Sequence, residues 1–183
     1  MKKVIGFAFS AILALSSLFA GSVGMYAKAE MGYSFWAPEI NDVYCESNCF
    51  DITPTFGLLP FGAESNFALE ASVDMNFGSG KNDLKTRVIA PQVMALLYIP
   101  NAISESSSLS EKLVPFAGLG FSVPFQTVEV GSSSKSATSF VMNTQLGCMY
   151  KVNDKIGITA DVNSALLKPW NWAVKAGVMY NIK

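Results

Sequence analysis

Asn66–Phe77 reads NFALEASVDMNF, and its alternation decides the fold. Phe67, Leu69, Ala71, Val73, Met75 and Phe77 are apolar. Between them fall Asn66, Ala68, Glu70, Ser72, Asp74 and Asn76. Successive side chains of a strand point to opposite faces, so the run predicts a β-strand with one apolar and one carboxylate-bearing face. It is also about twice the ~5–6 residues usual for a strand in a soluble domain. The wet face has to be found from the rest of the chain.

The same pattern recurs along most of the sequence. Strands are predicted at about 31–36, 50–59, 66–77, 85–99, 113–125, 140–150, 156–163 and 174–182. In 85–99 the facing is ambiguous; placing Val93, Ala95, Leu97 and Ile99 outward puts Gln92 inward. Later strands set Asn143 and Gln145 against Leu146, Asp161 against Ile158 and Val162, and Lys175 and Gly177 against Val174, Val178 and Tyr180. The linkers LPFGAES, GSGKND, NAISESSSLSE, TVEVGSSSKSATS, VNDK and KPWN are turn-type and polar. They favour antiparallel neighbours and leave no room for crossover helices. The serine-rich linkers read as mobile loops.

Three features put water on the polar face and lipid on the other. The polar faces are rich in small residues, as a narrow barrel interior requires. Aromatics close both ends of an apolar face: Phe67 with Phe77, Phe140 with Tyr150, Trp172 with Tyr180. At about 3.3 Å per residue and about 40° tilt such spans climb roughly 20–25 Å, the height of the apolar band of an outer-membrane barrel. Pairing of the last strand with the first would remove every sheet edge, as lipid demands. The expected fold is all-β: a closed, antiparallel, up-and-down, eight-stranded transmembrane β-barrel. Its lumen would hold Glu70, Asp74, Gln92, Asn143, Gln145, Asp161 and Lys175 as a polar network.

MKKVIGFAFSAILALSSLFAGSVGMYAKA has a basic start, an apolar run and a small-residue ending, the plan of a secretory signal peptide. Ala27-Lys28-Ala29 supplies an A-x-A pattern, so residues 1–29 read as a cleaved leader and 30–183 as the barrel domain. A cut near Ala20 and an uncut anchor helix are the alternatives. The whole chain has 13 basic and 14 acidic residues. Losing Lys2, Lys3 and Lys28 leaves a mildly acidic remainder, which argues against nucleic acid.

The chain has no histidine, which weakens Ser-His-Asp, Cys-His and zinc–histidine chemistry. No phosphate-binding glycine loop is present. The expectation is a protein that is not an enzyme and holds no cofactor or metal. Glu70 and Asp74 could form a carboxylate pair, but plugging the lumen beside Lys175 is the favoured reading. CESNC places Cys45 and Cys49 in a first outer loop near Glu39, Asp42, Glu46 and Asp51. A local disulfide leads there, with free thiols or thiol–carboxylate metal binding as alternatives. Cys148 falls on an apolar face as a small hydrophobe. Trp36, Trp170 and Trp172 join the other aromatics as interface anchors; stacking of a ligand on Trp170 or Trp172 is the alternative. Pro91 and Pro124 lack ladder donors. Pairing Tyr98 with Leu113 would put both on the outer half of one seam, a candidate lateral opening.

YKVNDKIGITADVN (Tyr150–Asn163) resembles the strand–tight turn–strand unit of small bacterial outer-membrane proteins, as does PFAGLGFSVPF. KAGVMYNIK resembles the terminal signal read by barrel-assembly machinery through Lys175, Gly177, Tyr180 and Ile182, though it ends in Lys183 instead of an aromatic. The chain thus resembles the eight-stranded OmpW/OmpX-like group. The resemblance implies periplasmic termini, with 37–49, 78–84, 126–139 and 164–171 outside the cell and 60–65, 100–112 and 151–155 as periplasmic turns. It implies an outer-membrane location and outer-membrane lipid as partner. Its OmpW side implies a narrow channel for small, hydrophobic molecules, with lateral exit of solute. Its OmpX side implies a non-conducting barrel that binds host surfaces or stabilises the membrane. A soluble lipocalin-like barrel would carry an early G-x-W; here Gly32 is followed by Tyr33 and Ser34.

Overall fold

The computed structural model describes residues 23–37, 39–40, 43–44, 47–62, 65–79, 84–100, 112–166 and 170–182. Eight long strands close one barrel: β1 (Gly24–Ala37), β4 (Ser47–Leu59), β5 (Phe67–Ser79), β6 (Lys85–Tyr98), β7 (Leu113–Ser122), β10 (Val141–Lys151), β11 (Ile156–Ala165) and β12 (Trp170–Asn181). Each is antiparallel to both neighbours, in up-and-down order. Closure joins the first strand to the last, from Tyr26↔Asn181 to Ala37↔Trp170. Two short hairpins rise from the end opposite the termini: β2 (Glu39–Ile40) with β3 (Val43–Tyr44), and β8 (Phe125–Val130) with β9 (Ser133–Thr138).

The opening stretch is β5. Its even-numbered residues Glu70, Ser72, Asp74 and Asn76 are buried inside, and its odd-numbered residues face out. The other strands repeat this. Met31, Leu97, Val93, Leu119, Leu146, Val174 and Val178 are each at least half exposed on the outer wall. So much contiguous apolar surface is foreign to a water-soluble exterior, whereas in lipid it is the favourable face. The greasy side of the alternation is therefore the outside.

Four expectations meet a different structure. β1 begins at Gly24, so it takes in residues that the A-x-A pattern assigned to the leader. TVEVGSSSKSATS is not a mobile loop throughout but the β8–β9 hairpin, whose turn uses Gly131 at φ 58°. That positive φ is what a tight hairpin turn needs and what glycine adopts without strain. Cys49 lies in β4 and not in an outer loop: it is buried at the loop end of the lumen against Val88 and Ala90. The β6–β7 register is shifted by three, pairing Tyr98 with Phe116, so that Leu113–Pro115 extend past the end of β6 while still pairing with β10. Ile99 still donates to the Pro115 carbonyl at 2.8 Å, which ends the ladder.

The new register moves the prolines. Pro91 now stands opposite Val123, whose N–H donates to the Pro91 carbonyl at 3.0 Å. Pro124 is buried inside, and its carbonyl accepts from Ser139 at 3.3 Å, on the side away from β6. N–H and C=O of one strand residue point the same way, so the missing donors fall on different seams. The two prolines do not share a weak seam. The ladder also holds on both sides of Pro91, at Gln92↔Ser122 and Ile89↔Phe125.

Candidate functional site

The lumen is the site, and it is layered. At the terminal end the inner wall is apolar: Tyr26, Met94, Leu96, Tyr98, Phe116 and Met179 pack into one cluster. This is why β6 looks apolar on both faces. Beyond it, at the mouth, lies an open cavity of about 440 Å³. Glycines make room for the large side chains. A Cβ on Gly57 would fall 2.0 Å from Tyr26 Cζ, and one on Gly177 would fall 2.5 Å from Glu30 Cγ.

The first charged layer is built around Lys28. Its Nζ lies 3.0 Å from Glu70 Oε2 and 3.2 Å from Glu30 Oε2, and all three residues are nearly fully buried. Tyr26 Oη donates to Glu70 Oε1 at 2.7 Å, and Thr159 Oγ1 donates to Glu30 Oε1 at 2.8 Å. The Tyr26 and Tyr98 hydroxyls lie 3.3 Å apart. β1, β5, β6 and β11 thus meet across the lumen.

The second layer is built around Lys175. Its Nζ donates to Asp74 Oδ1 at 2.9 Å and to Thr53 Oγ1 at 2.8 Å, with Asp51 Oδ2 at 3.4 Å. The Thr53 hydroxyl is within 2.7 Å of Asp51 Oδ1 and 2.8 Å of Asp74 Oδ1. Charge-assisted bonds of this kind are the strong ones, and in a dry interior they tie β4, β5 and β12 together. A third, neutral layer follows towards the loops. Asn143 Nδ2 donates to Ser122 Oγ at 2.8 Å and reaches Gln92 Oε1 at 3.4 Å, while Ser34 donates to Asn76. The space left among Asp51, Asp74, Gln92 and Asn143 is about 10 Å³, room for about one water molecule.

All seven residues expected in the lumen are buried there, but they are split among layers. Glu70 belongs to Lys28, Asp74 to Lys175, and Gln92 and Asn143 to Ser122. Asp161 stands across the ladder from Lys175, and neither of its buried carboxylate oxygens meets a hydrogen-bond donor; nor does the Gln145 Oε1 meet one. As carboxylates on one face, Glu70 and Asp74 are each engaged by a different lysine, a structural use. Sequence reasoning missed Tyr26 and Lys28, which it gave to the leader, and with them Glu30, Thr53, Tyr98 and Thr159. Alternation running back through Met25, Ala27 and Ala29 against Tyr26, Lys28 and Glu30 is the signal that finds them.

The aromatics fall at the two ends of the outer wall. Phe67 packs on Phe61 near the termini, and Tyr150 of β10 and Tyr180 of β12 lie at the same end of the barrel. Towards the loops, Trp172 stacks on Phe35 with centroids 6.2 Å apart, Phe140 stacks on Phe121 at 5.3 Å, and Arg87 covers Phe77 at 5.6 Å. Trp36 and Trp170 lie in paired strands, but their side chains are outside the described set, as is Cys45. Of the terminal residues, Lys175 and Gly177 face the lumen and Tyr180 and Ile182 the outside. Among the described residues no group of three or more Cys, Asp or Glu could hold a metal ion.

No family model and no curated protein matches the chain. Solved structures do. Neisserial surface protein A is similar at a TM-score of 0.67 and 13% identity, over 86% of this chain and 97% of that one. The N-terminal β-barrel domain of Pseudomonas aeruginosa OprF is similar at 0.58 and 13%, over 87% and 99%. Ail, the attachment invasion locus protein of Yersinia pestis, is similar at 0.50 and 12%, over 85% and 98%. The fold is thus that of the small eight-stranded outer-membrane barrels.

Proposed function

We propose that the chain is a non-conducting barrel of a bacterial outer membrane that holds surface hairpins in place, serving attachment or membrane stability without enzymatic chemistry. The observation that carries this is the lumen. Two ion-paired layers and one amide layer cross it, and the charged members are 8% exposed or less. A solute would have to break buried lysine–carboxylate pairs to pass, at a cost of about 3–5 kcal/mol for each pair broken. The alternative, a narrow channel for small hydrophobic molecules, has neither an open path nor a double-proline seam for lateral exit to support it. The exposed β8–β9 hairpin supports the display reading: all six residues of β9 are exposed and polar or small. Its partner would be a surface ligand met outside the cell. Within the envelope the partners are outer-membrane lipid and the barrel-assembly machinery. Lys175 is sealed once folded, so recognition of it would precede closure.

Reconstitution of the purified barrel into a planar bilayer tests the reading. The expected record is a flat baseline over a wide range of voltage. Discrete, reproducible conductance steps would restore the channel.

A further inference from the structure

The leader has two small-residue cleavage patterns. One is Ala27-Lys28-Ala29; the other, Ala20-Gly21-Ser22, directly follows the apolar run. Both sites are accessible in an extended precursor, so the folded barrel shows which cut leaves a viable product.

We propose that the chain is cut upstream of Gly24, with Ser22–Val23 the bond best fitted, and not after Ala29. Water adds across that bond, leaving a carboxylate on Ser22 and the α-amine of the mature chain on Val23. The geometry of β1 carries this. Gly24–Ala29 is paired on both sides, with Pro54–Leu59 of β4 and, from Tyr26, with Val178–Asn181 of β12. A cut after Ala29 removes this half of the strand. It leaves the facing backbone groups of β4 and β12 unpaired along a slot beside Ala176, Val178 and Phe56, where lipid offers no replacement partner. The interior loses as much. Lys28 is the cation between Glu30 and Glu70, and Tyr26 fills the space above Gly57 while holding Glu70. Without residues 24–29 both carboxylates stay buried with no lysine beside them. A cut at Ser22–Val23 keeps every one of these contacts. It also keeps the Met25 carbonyl that accepts from Ile182 at 2.7 Å and ties the two chain ends together.

The amino terminus of the barrel extracted from membranes decides the matter, read by intact mass and by terminal sequencing. A chain starting at residues 21–24 is expected, with Val23 dominant. A start at Glu30, at any other residue of β1 after Gly24, or at Met1 overturns the proposal. Two substitutions separate the sites without disturbing the wall. Ala29→Leu places a large side chain at the A-x-A site, yet faces lipid when folded, so unchanged processing and yield are expected. Ser22→Leu places a large side chain at the residue before the scissile bond and should raise the precursor-to-mature ratio at least tenfold. Precursor accumulating with Ala29→Leu, or unchanged processing with Ser22→Leu, overturns the assignment.

Discussion

Lys175 has its ammonium group sealed between Asp51, Asp74 and Thr53, with no solvent contact. Removing it while leaving the acids strands two buried carboxylates, and breaking such a pair costs about 3–5 kcal/mol. Lys175→Met should therefore lower the urea midpoint of the barrel by that equivalent, read from the loss of the folded band on unboiled gels. Asp161 is the opposite case. The lumen buries five carboxyl groups, Glu30, Asp51, Glu70, Asp74 and Asp161, against two lysines, and Asp161 lacks hydrogen-bond donors. Asp161→Asn keeps the shape and removes one of five buried carboxyl groups that share two lysines, so it should raise the same midpoint, by roughly 1–3 kcal/mol. A fall in stability would mean that Asp161 serves a lysine after all.

Among the elements, the eight wall strands were legible because lipid outside and packing inside force strict alternation. β5, β10, β11 and β12 read directly off their sequence. Three things did not. β6 buries Val88, Met94 and Leu96 inside the lumen, so alternation between apolar and polar fails there and only neighbours fix the facing. The first half of β1 carries Ala27-Lys28-Ala29, which reads as a cleavage pattern, and that hid Lys28 and the whole first layer. β9 is exposed along its whole length, and β8 buries Gln126 and Val128 while exposing Phe125 and Val130, so neither carries a hydrophobic period to read; Gly131 was their one local mark. Because β8 and β9 extend beyond the lipid band, replacing residues 126–137 by a short glycine–serine turn should leave barrel folding intact and abolish any surface attachment. Loss of the folded band would show instead that β8 is needed to complete the β6 ladder. Cys49, buried at the loop end of the lumen, is four residues from Cys45 in sequence, and export is oxidising. We propose that the two are joined in cells. Mass spectrometry should find both refractory to alkylation until reduced, while two labelled thiols without reduction would count against the bond.

At the scale of the molecule, one alternation serves two solvents. The wall leaves no unpaired edge at closure, since β1 meets β12 along its length. The lumen pairs its charges in buried layers, and the outer wall shows lipid an apolar band bounded by aromatics. The similarity to small outer-membrane barrels covers nearly the whole of each related chain at low identity, so the fold is shared where the sequence is not. The central claim is that this apolar wall lives in a membrane as a closed barrel. It is tested most directly by fractionating cells and running the outer-membrane fraction on gels with and without boiling. The protein should sediment with outer membranes, need detergent for extraction, and migrate differently before and after boiling. Recovery as a soluble periplasmic protein without detergent, with no shift on boiling, would contradict the account.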